Sequence, residues 1–251
     1  MRRRVMKIFW LVGFLALSVP IALASGGSVA LDHVWIMVSP SAPQRAALER
    51  AGFQISREVN HHEGTGTSSI PVEFDNGYLE LIWLDPAVPI SPGLERAAEK
   101  YKQRMLWRTS GWCPFGIGLH RTTTQNVAFP FPTWSWTADW MPKGSSMEML
   151  TPRDDTRSPA LFVEPLSFTD TKEQAARAAL YHHAIGVHRI TAVRLVSPKA
   201  YQRIVPITYL EERHLLSVAA DDQWRLELTF DDGKKGKSAD LRPDLPLIVR
   251  Y

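Results

Sequence analysis

The folded part of the chain opens on a strand-length apolar run, Leu31-Asp32-His33-Val34-Trp35-Ile36-Met37-Val38, closed by Ser39-Pro40-Ser41. Ala46, Ala47, Leu48 and Ala51 then give a short helical stripe within residues 42–51, stopped by Gly52. Phe53-Gln54-Ile55 reads as a second short strand. A polar loop with two glycines follows, His61-His62-Glu63-Gly64-Thr65-Gly66-Thr67, and after it the run Ile70 to Phe74. Asp75-Asn76-Gly77 separates that run from Tyr78-Leu79-Glu80-Leu81-Ile82-Trp83-Leu84. An Asn-Gly pair between two apolar runs predicts a hairpin, because both central residues of the tight turn need positive φ. The order is β-α-β-β-β.

Residues 86–110 read as a connecting excursion, with Pro86, Pro89 and Pro92 leading into a helix rich in Glu, Lys and Arg. A second set of elements repeats the first order with weaker signals. It comprises a strand from Phe115 to His120, a poor helix from Thr123 to Phe129, an alternating stretch from Thr133 to Trp140, then Ser146–Leu150 and Leu161–Glu164. The two modules, 31–85 and 112–165, belong to one domain over 31–185. A helix from Lys172 to His183 closes it, with His182-His183 placed to cap the negative end of the helix dipole. Residues 186–251 read as an additional strand-rich half-module: Ile190–Val196, His214–Val218 and Trp224–Phe230, with hairpin turns at Asp221-Asp222 and Asp231-Asp232-Gly233. Short strands with few helices predict an α+β fold rather than βαβ crossovers.

The first residues carry a different message. Arg2, Arg3, Arg4 and Lys7 precede an apolar run from Ile8 to Ala24, broken only by Gly13, Ser18 and Pro20 and ending in Ala22-Leu23-Ala24. A basic start, an apolar centre and a small-x-small exit predict a secretory signal peptide over 1–24. The run is shorter than the roughly 20 residues that span a bilayer. The expectation is an exported protein, periplasmic or extracellular, with no stable membrane insertion after cleavage; an uncleaved N-terminal anchor is the alternative. Four basic residues and none of the acidic ones lie in that segment, so the formal charge of +3 falls to about −1 without it. A nucleic-acid partner should leave a basic face, and a near-neutral chain disfavours one. Cys113 is the only cysteine. It cannot form an internal disulfide, so a hydrophobic core must hold the fold, and the thiol reads as a small buried apolar group.

Three stretches resemble the glyoxalase-like domain of the vicinal oxygen chelate superfamily. They are Leu31-Asp32-His33-Val34, the loop His62-Glu63-Gly64-Thr65-Gly66-Thr67, and Phe74-Asp75-Asn76-Gly77-Tyr78-Leu79-Glu80-Leu81. The resemblance implies paired βαβββ modules in a curved mixed sheet around a ligand cavity. It also implies, for members that bind a divalent ion, a His from the first strand and a Glu from the last strand of each module. On this chain those are the metal-ligand candidates His33, Glu80, Glu164 and His120. The residues make part of this case themselves. Alternate side chains share a strand face, so Tyr78, Glu80 and Ile82 point one way, and His33 lies with Trp35 and Met37. A carboxylate among large apolar neighbours is costly unless paired or metal-bound. In the second module, alignment by strand ending sets Phe115 against His33 and leaves His120 five positions on with opposite parity; a different register brings His120 inward.

Glu80 and Glu164 are also the candidate proton-transferring groups. His62 and Gly64 are candidates for a loop that closes on a ligand, or else form an ordinary polar connection. Tyr78, Trp134 and Trp136, with Trp140 on the same face by period two, are expected to wall a pocket for an apolar or planar molecule, with core packing as the other reading. No Walker loop, Rossmann fingerprint, Gly-x-Ser-x-Gly elbow or His-Glu-x-x-His helix occurs. The functional expectation is a small-molecule protein with metal-dependent lyase, isomerase or dioxygenase chemistry, or a non-catalytic binder on the same scaffold.

Overall fold

A computed structural model describes residues 28–123, 127–155, 157–165 and 178–251. The expected signal peptide therefore lies outside the described residues. So do the middle of the expected helix at 123–129 and the first half of the one at 172–183. The described chain is α+β, with a curled eight-stranded sheet, a separate five-stranded sheet and few helices.

The first module contains β1 (Val29–Met37), α1 (Arg45–Arg50), β2 (Asn60–His62), β3 (Thr67–Phe74) and β4 (Gly77–Leu84). Helices α2 (Glu95–Met105) and α3 (Trp107–Ser110) lead to the second, which contains β5 (Phe115–Arg121), β6 (Trp134–Trp136), β7 (Met147–Met149) and β8 (Ala160–Glu164). The sheet order is β2-β3-β4-β1-β5-β8-β7-β6. In each module the last strand returns parallel to the first, β4 beside β1 and β8 beside β5. The modules meet where β1 and β5 run antiparallel. That arrangement is a pseudo-twofold pair.

Three local expectations are corrected. Phe53-Gln54-Ile55 is not a strand; the second strand is Asn60–His62, at the sheet edge. An edge strand facing solvent has no apolar alternation to reveal it, whereas Phe53 is apolar because its ring packs on Phe74 and Phe230. Residues 127–129 are not helical. The β3–β4 hairpin forms, but Phe74 pairs with Gly77, so Asp75 and Asn76 are its central residues, and neither has positive φ.

The central strands are buried on both faces, which is why they read as nearly continuous apolar runs. Val34, Ile36, Leu79, Leu81, Ile117, Leu119, Leu161 and Val163 point to the convex side and join one large core. The five-stranded sheet joins that core with Val193, Leu195, Leu226, Leu228, Phe230, Leu247 and Val249. Its strands are β9 (Ile190–Pro198), β10 (Ser217–Asp221), β11 (Arg225–Phe230), β12 (Ser238–Asp240) and β13 (Leu247–Arg250), with α4 (Val205–Glu212) between β9 and β10. The order β10-β9-β11-β13-β12 corrects the expected hairpins. The turn at 221–222 joins strands on opposite sides of β9, and that at 231–233 joins strands separated by β13. Cys113 is buried, and burial pushes its thiol up to about 12, as fits an inert packing group.

Side-chain clasps weld the two sheets together. Asn76 donates from Nδ2 to Ile190 O at 2.8 Å and accepts from Ile190 N at 2.9 Å, closing the start of β9 against the hairpin. His183 is buried rather than a surface cap. Its Nδ1 accepts from Gln54 N at 2.9 Å and its Nε2 donates to Glu73 O at 2.8 Å. Burial lowers its basicity and leaves a neutral ring with one fixed tautomer. Asn76→Ala removes two bonds to the backbone of a buried residue. A loss of about 1–3 kcal/mol is expected, the cost of stranding such groups. Urea denaturation checks it; a midpoint equal to that of the native chain would show that the clasp contributes nothing.

Candidate functional site

Strand alternation puts a second set of side chains on the concave face. His33, Trp35, Tyr78, Glu80, His120, Phe162 and Glu164 all line one cavity of about 1280 Å³. The inner face thus carries ionisable groups where the outer face carries Val, Ile and Leu.

Register explains how they meet. His33 pairs with Tyr78 on β4 and with Gly118 on β5. The His33 ring stacks on Tyr78 at 4.3 Å, nearly parallel to it. On its other side it lies over Gly118, where a Cβ would come within 2.5 Å of His33 Cε1. Trp35 lies likewise over Gly116, at 2.0 Å from the position of such a Cβ. The two glycines of Phe115-Gly116-Ile117-Gly118 are therefore the space into which two rings fold.

The β1–β5 ladder slips between Leu31 and His33, so Asp32 is an extra residue in β1. Such a bulge re-aims a side chain. Here it delivers the Asp32 carboxylate to the His33 side of the sheet, with Oδ1 2.8 Å from His33 Nδ1. His120 Nδ1 stands 3.4 Å from Asp32 Oδ2, an ion-pair contact whose alignment falls short of a hydrogen bond. Burial alone would raise the Asp32 carboxyl, but the contacts from His120 and His33 outweigh it and hold the group well below the usual carboxylate range. Burial opposes protonation of His33. The hydrogen bond that His33 donates to Asp32 and the charges of Asp32, Glu164 and Glu80 reverse the balance and raise it.

The two glutamates flank this centre. Glu80 is 8% exposed and accepts no hydrogen bond among the described residues; the titratable side chain within ion-pair reach of it is His62, with Nε2 3.7 Å from Oε1. Burial lowers the basicity of His62 against the opposing pull of Glu80. Glu164 is 7% exposed, and its Oε2 has no hydrogen-bond partner. Burial, supported by the charges of Asp32 and Glu80 and opposed by His33, pushes the Glu164 carboxyl up to about 8. It is protonated at neutral pH.

Aromatic and thioether side chains line the rest of the hollow. Trp35, Met37, Ile82, Met141, Met147 and Phe162 form a small second core, against which Tyr101, Trp136 and Trp140 pack. Trp140 lies in the turn after β6. Its ring is 6.4 Å from Trp136 of the second module and 5.3 Å from His62 of the first. Trp134 is a fixed rim residue, its Nε1 donating to Thr151 O and its face covered by Arg153. Gly64 turns the loop at positive φ and packs on Ser91 and Asp139, where a Cβ would meet oxygens at 2.8 Å.

Residues 31–205 match the family described as a glyoxalase-like domain, well over half of the chain. The chain belongs to that family, part of the vicinal oxygen chelate superfamily. A solved structure titled as a hypothetical protein from Staphylococcus aureus aligns with 89% of this chain and 98% of its own, at a TM-score of 0.52 and 11% identity. A likeness at that identity concerns the fold. Comparison with curated proteins finds no match.

The superfamily often binds divalent metals, so the donor set bears on this glyoxalase-like chain directly. Among the described residues no three His, Cys, Asp or Glu side chains form a group that could hold an ion. Glu80 and Glu164 each stand two residues past the partner of a first-strand residue, Tyr78 opposite His33 and Phe162 opposite Gly118. The second-module counterpart of His33 is therefore Gly118, and that of Trp35 is His120. The expected second imidazole is replaced by the glycine on which the first one rests. His120 does face inward, but it stands beside Asp32 and two residues along β5 from the place a ligand would take. The four expected residues share the cavity without surrounding a common point.

Asp32 was the residue the sequence concealed, since strict alternation turns it away and nothing local marks a bulge. Tyr101 also lies outside any predicted strand, whereas Trp140 ends the stretch read as alternating and lies in a turn. The proton on Glu164 generates a stability prediction. Its carboxyl is raised from 4.5 to about 8, so between these values the folded state binds more protons than the unfolded chain. Stability from this group is full below the unfolded value and falls as pH rises to about 8. Thermal denaturation of the native chain should lose ground across that window relative to Glu164→Gln, and parallel curves would show that Glu164 ionises freely.

Proposed function

We propose that this glyoxalase-like protein binds a small organic molecule in the concave cavity and exchanges a proton with it at Glu164. One observation carries the reading: a cavity of about 1280 Å³ with aromatic walls and a few buried, mutually coupled polar groups at its floor. Mostly apolar cavities with a small number of converging polar groups are the usual form of ligand sites. Fold membership leaves the chemistry open, so the site must support it.

Glu164 supports general acid catalysis. A carboxyl that keeps its proton to about pH 8 can donate it to a bound carbonyl or leaving group and take it back later in the cycle. Glu80, across the His33–Tyr78 pair, supplies a second carboxylate for the opposite transfer. Asp32 fixes the His33 tautomer and orientation, so that the imidazole is a positioned part of the floor. This chemistry belongs to isomerase or lyase steps that move a proton on a carbon beside a carbonyl. It runs on the chain's own groups, in keeping with a donor set that does not close around an ion.

Tryptophan fluorescence of the purified domain, titrated with a panel of planar carbonyl compounds, tests binding. Saturable quenching is expected, weakened about tenfold or more in Trp136→Ala through the loss of a large aromatic contact. Absence of quenching throughout the panel would refute the cavity as a ligand site. Solvent deuterium exchange into a bound carbonyl compound, followed by NMR, tests the chemistry. Glu164→Gln should slow it about a hundredfold, a usual share for a positioned acid. Retained binding with no exchange in the native chain would leave a sequestering protein.

We also infer export. The support is the basic start, the apolar run from Ile8 and the Ala22-Leu23-Ala24 exit. N-terminal sequencing of protein recovered from the envelope or medium should begin at Ser25. Recovery only of chains that retain Met1 in the membrane fraction would support the anchor instead.

A further inference from the structure

We propose that the molecule held in this cavity is an organic amine bound in its protonated form, with the ammonium group against the Glu80 carboxylate on the side that faces Glu164 and its apolar body against Trp35, Tyr101, Trp136 and Trp140. The inference rests on the small-molecule reading above and names the ligand class.

Two independent features point to it. The first is an unmet demand for hydrogen-bond donors. Glu80 and Glu164 are both more than nine-tenths buried and line the cavity. Glu80 accepts no hydrogen bond among the described residues, and Glu164 Oε2 has no partner. Buried carboxyl groups without donors are costly and are seldom left so. His62, the nearest candidate donor to Glu80, is held 3.7 Å away while its Nδ1 contacts Thr67 Oγ1 at 3.0 Å. An ammonium group carries three donors and no acceptor, which is what the Glu80 carboxylate lacks, and one further donor can reach the Glu164 oxygen that has no partner.

The second feature is the aromatic wall. Trp136 and Trp140 stand 6.4 Å apart, and Tyr101 meets Trp35 edge-on at 6.3 Å. Indole and phenol faces attract cations, most strongly where water is excluded. Arg104 already uses this property, its guanidinium lying 5.9 Å from the Trp35 ring.

The cations that line the cavity do not answer the same demand. Arg104 donates to Cys113 O and Ser158 O, and Lys100 donates to Arg153 O and Asp155 O. Arg121 is bound to Glu148 and Val127 O. Arg189 is at the exposed rim. His33 has its Nδ1 against Asp32. A metal ion would be the other cationic occupant, but the donors do not gather as one requires.

The test uses the purified domain and three probes of similar shape: 2-phenylethylammonium, 2-phenylethanol and phenylacetate, followed by tryptophan fluorescence and calorimetry. Manganese and zinc ions form a separate arm. The amine should bind about tenfold or more tightly than the alcohol, a ratio within reach of one desolvated cation–aromatic contact, and the carboxylate should bind weakest. Glu80→Gln should remove most of the preference for amine over alcohol while alcohol binding persists, which also shows that the variant is folded. Equal binding of all three probes, or a preference for phenylacetate, overturns the amine assignment yet leaves the cavity as a ligand site. Stoichiometric uptake of a metal ion that is lost in Glu80→Gln, with no response to the amine, overturns it in favour of the ion. No binding of any probe removes this inference together with the reading beneath it.

Discussion

The placement of one imidazole ring decides what the rest of the hollow can be. His33 lies flat between the Tyr78 ring and the bare backbone of Gly118, with Nδ1 given to Asp32. Close packing admits few alternatives there, since a single added carbon on Gly118 would overlap the ring. The bulge at Asp32, the glycine in β5 and the stacking tyrosine in β4 are three separate sequence choices that serve one geometry. Because His33 occupies the symmetric position of the second module, the pseudo-twofold scaffold carries an asymmetric floor. One side offers Glu80 beside neutral His62, and the other offers a protonated Glu164 beside His120.

Much of the fold was legible because burial on two faces leaves an unmistakable trace. Val34 to Val38 and Leu79 to Leu84 are apolar without interruption except at Glu80, and the return of the β-α-β-β-β order after residue 112 marked the second module. What stayed hidden had physical causes. Asn60–His62 is an edge strand, polar because half its surface meets water. Phe53 and Ile55 mimicked a strand while serving the core beneath the sheet. The crossing order of β9 to β13 depends on which strands pair at a distance, and no local pattern encodes that.

The site was legible in its residue types and not in its geometry. His33, Tyr78, Glu80, Trp136 and Glu164 could be named from alternation and from family resemblance, and they line one cavity. The inward aim of His120 depended on a register that sequence left open. Asp32 depended on a slip of the ladder, visible only once β1 and β5 were paired. The role of Gly118 could not be read at all, because a glycine in a strand looks like a weakness until its neighbour is known to lean on it. Family membership gave the scaffold and its usual ligand positions. The substituted second position shows why such positions have to be checked one at a time.

The core shared by the two sheets has a consequence for how this chain can be divided. Val34, Leu79, Leu81 and Ile117 on the back of the hollow meet side chains from strands that come more than seventy residues later, after Ile190. A fragment ending where the family match ends, at residue 205, would keep His33, Glu80, His120 and Glu164 but lose Leu215 and Asp232 from the cavity wall. It would also turn a broad apolar surface out to water, an invitation to self-association. The hollow and the C-terminal sheet behind it are one folding unit, and recombination in nature or in the laboratory can move them only together.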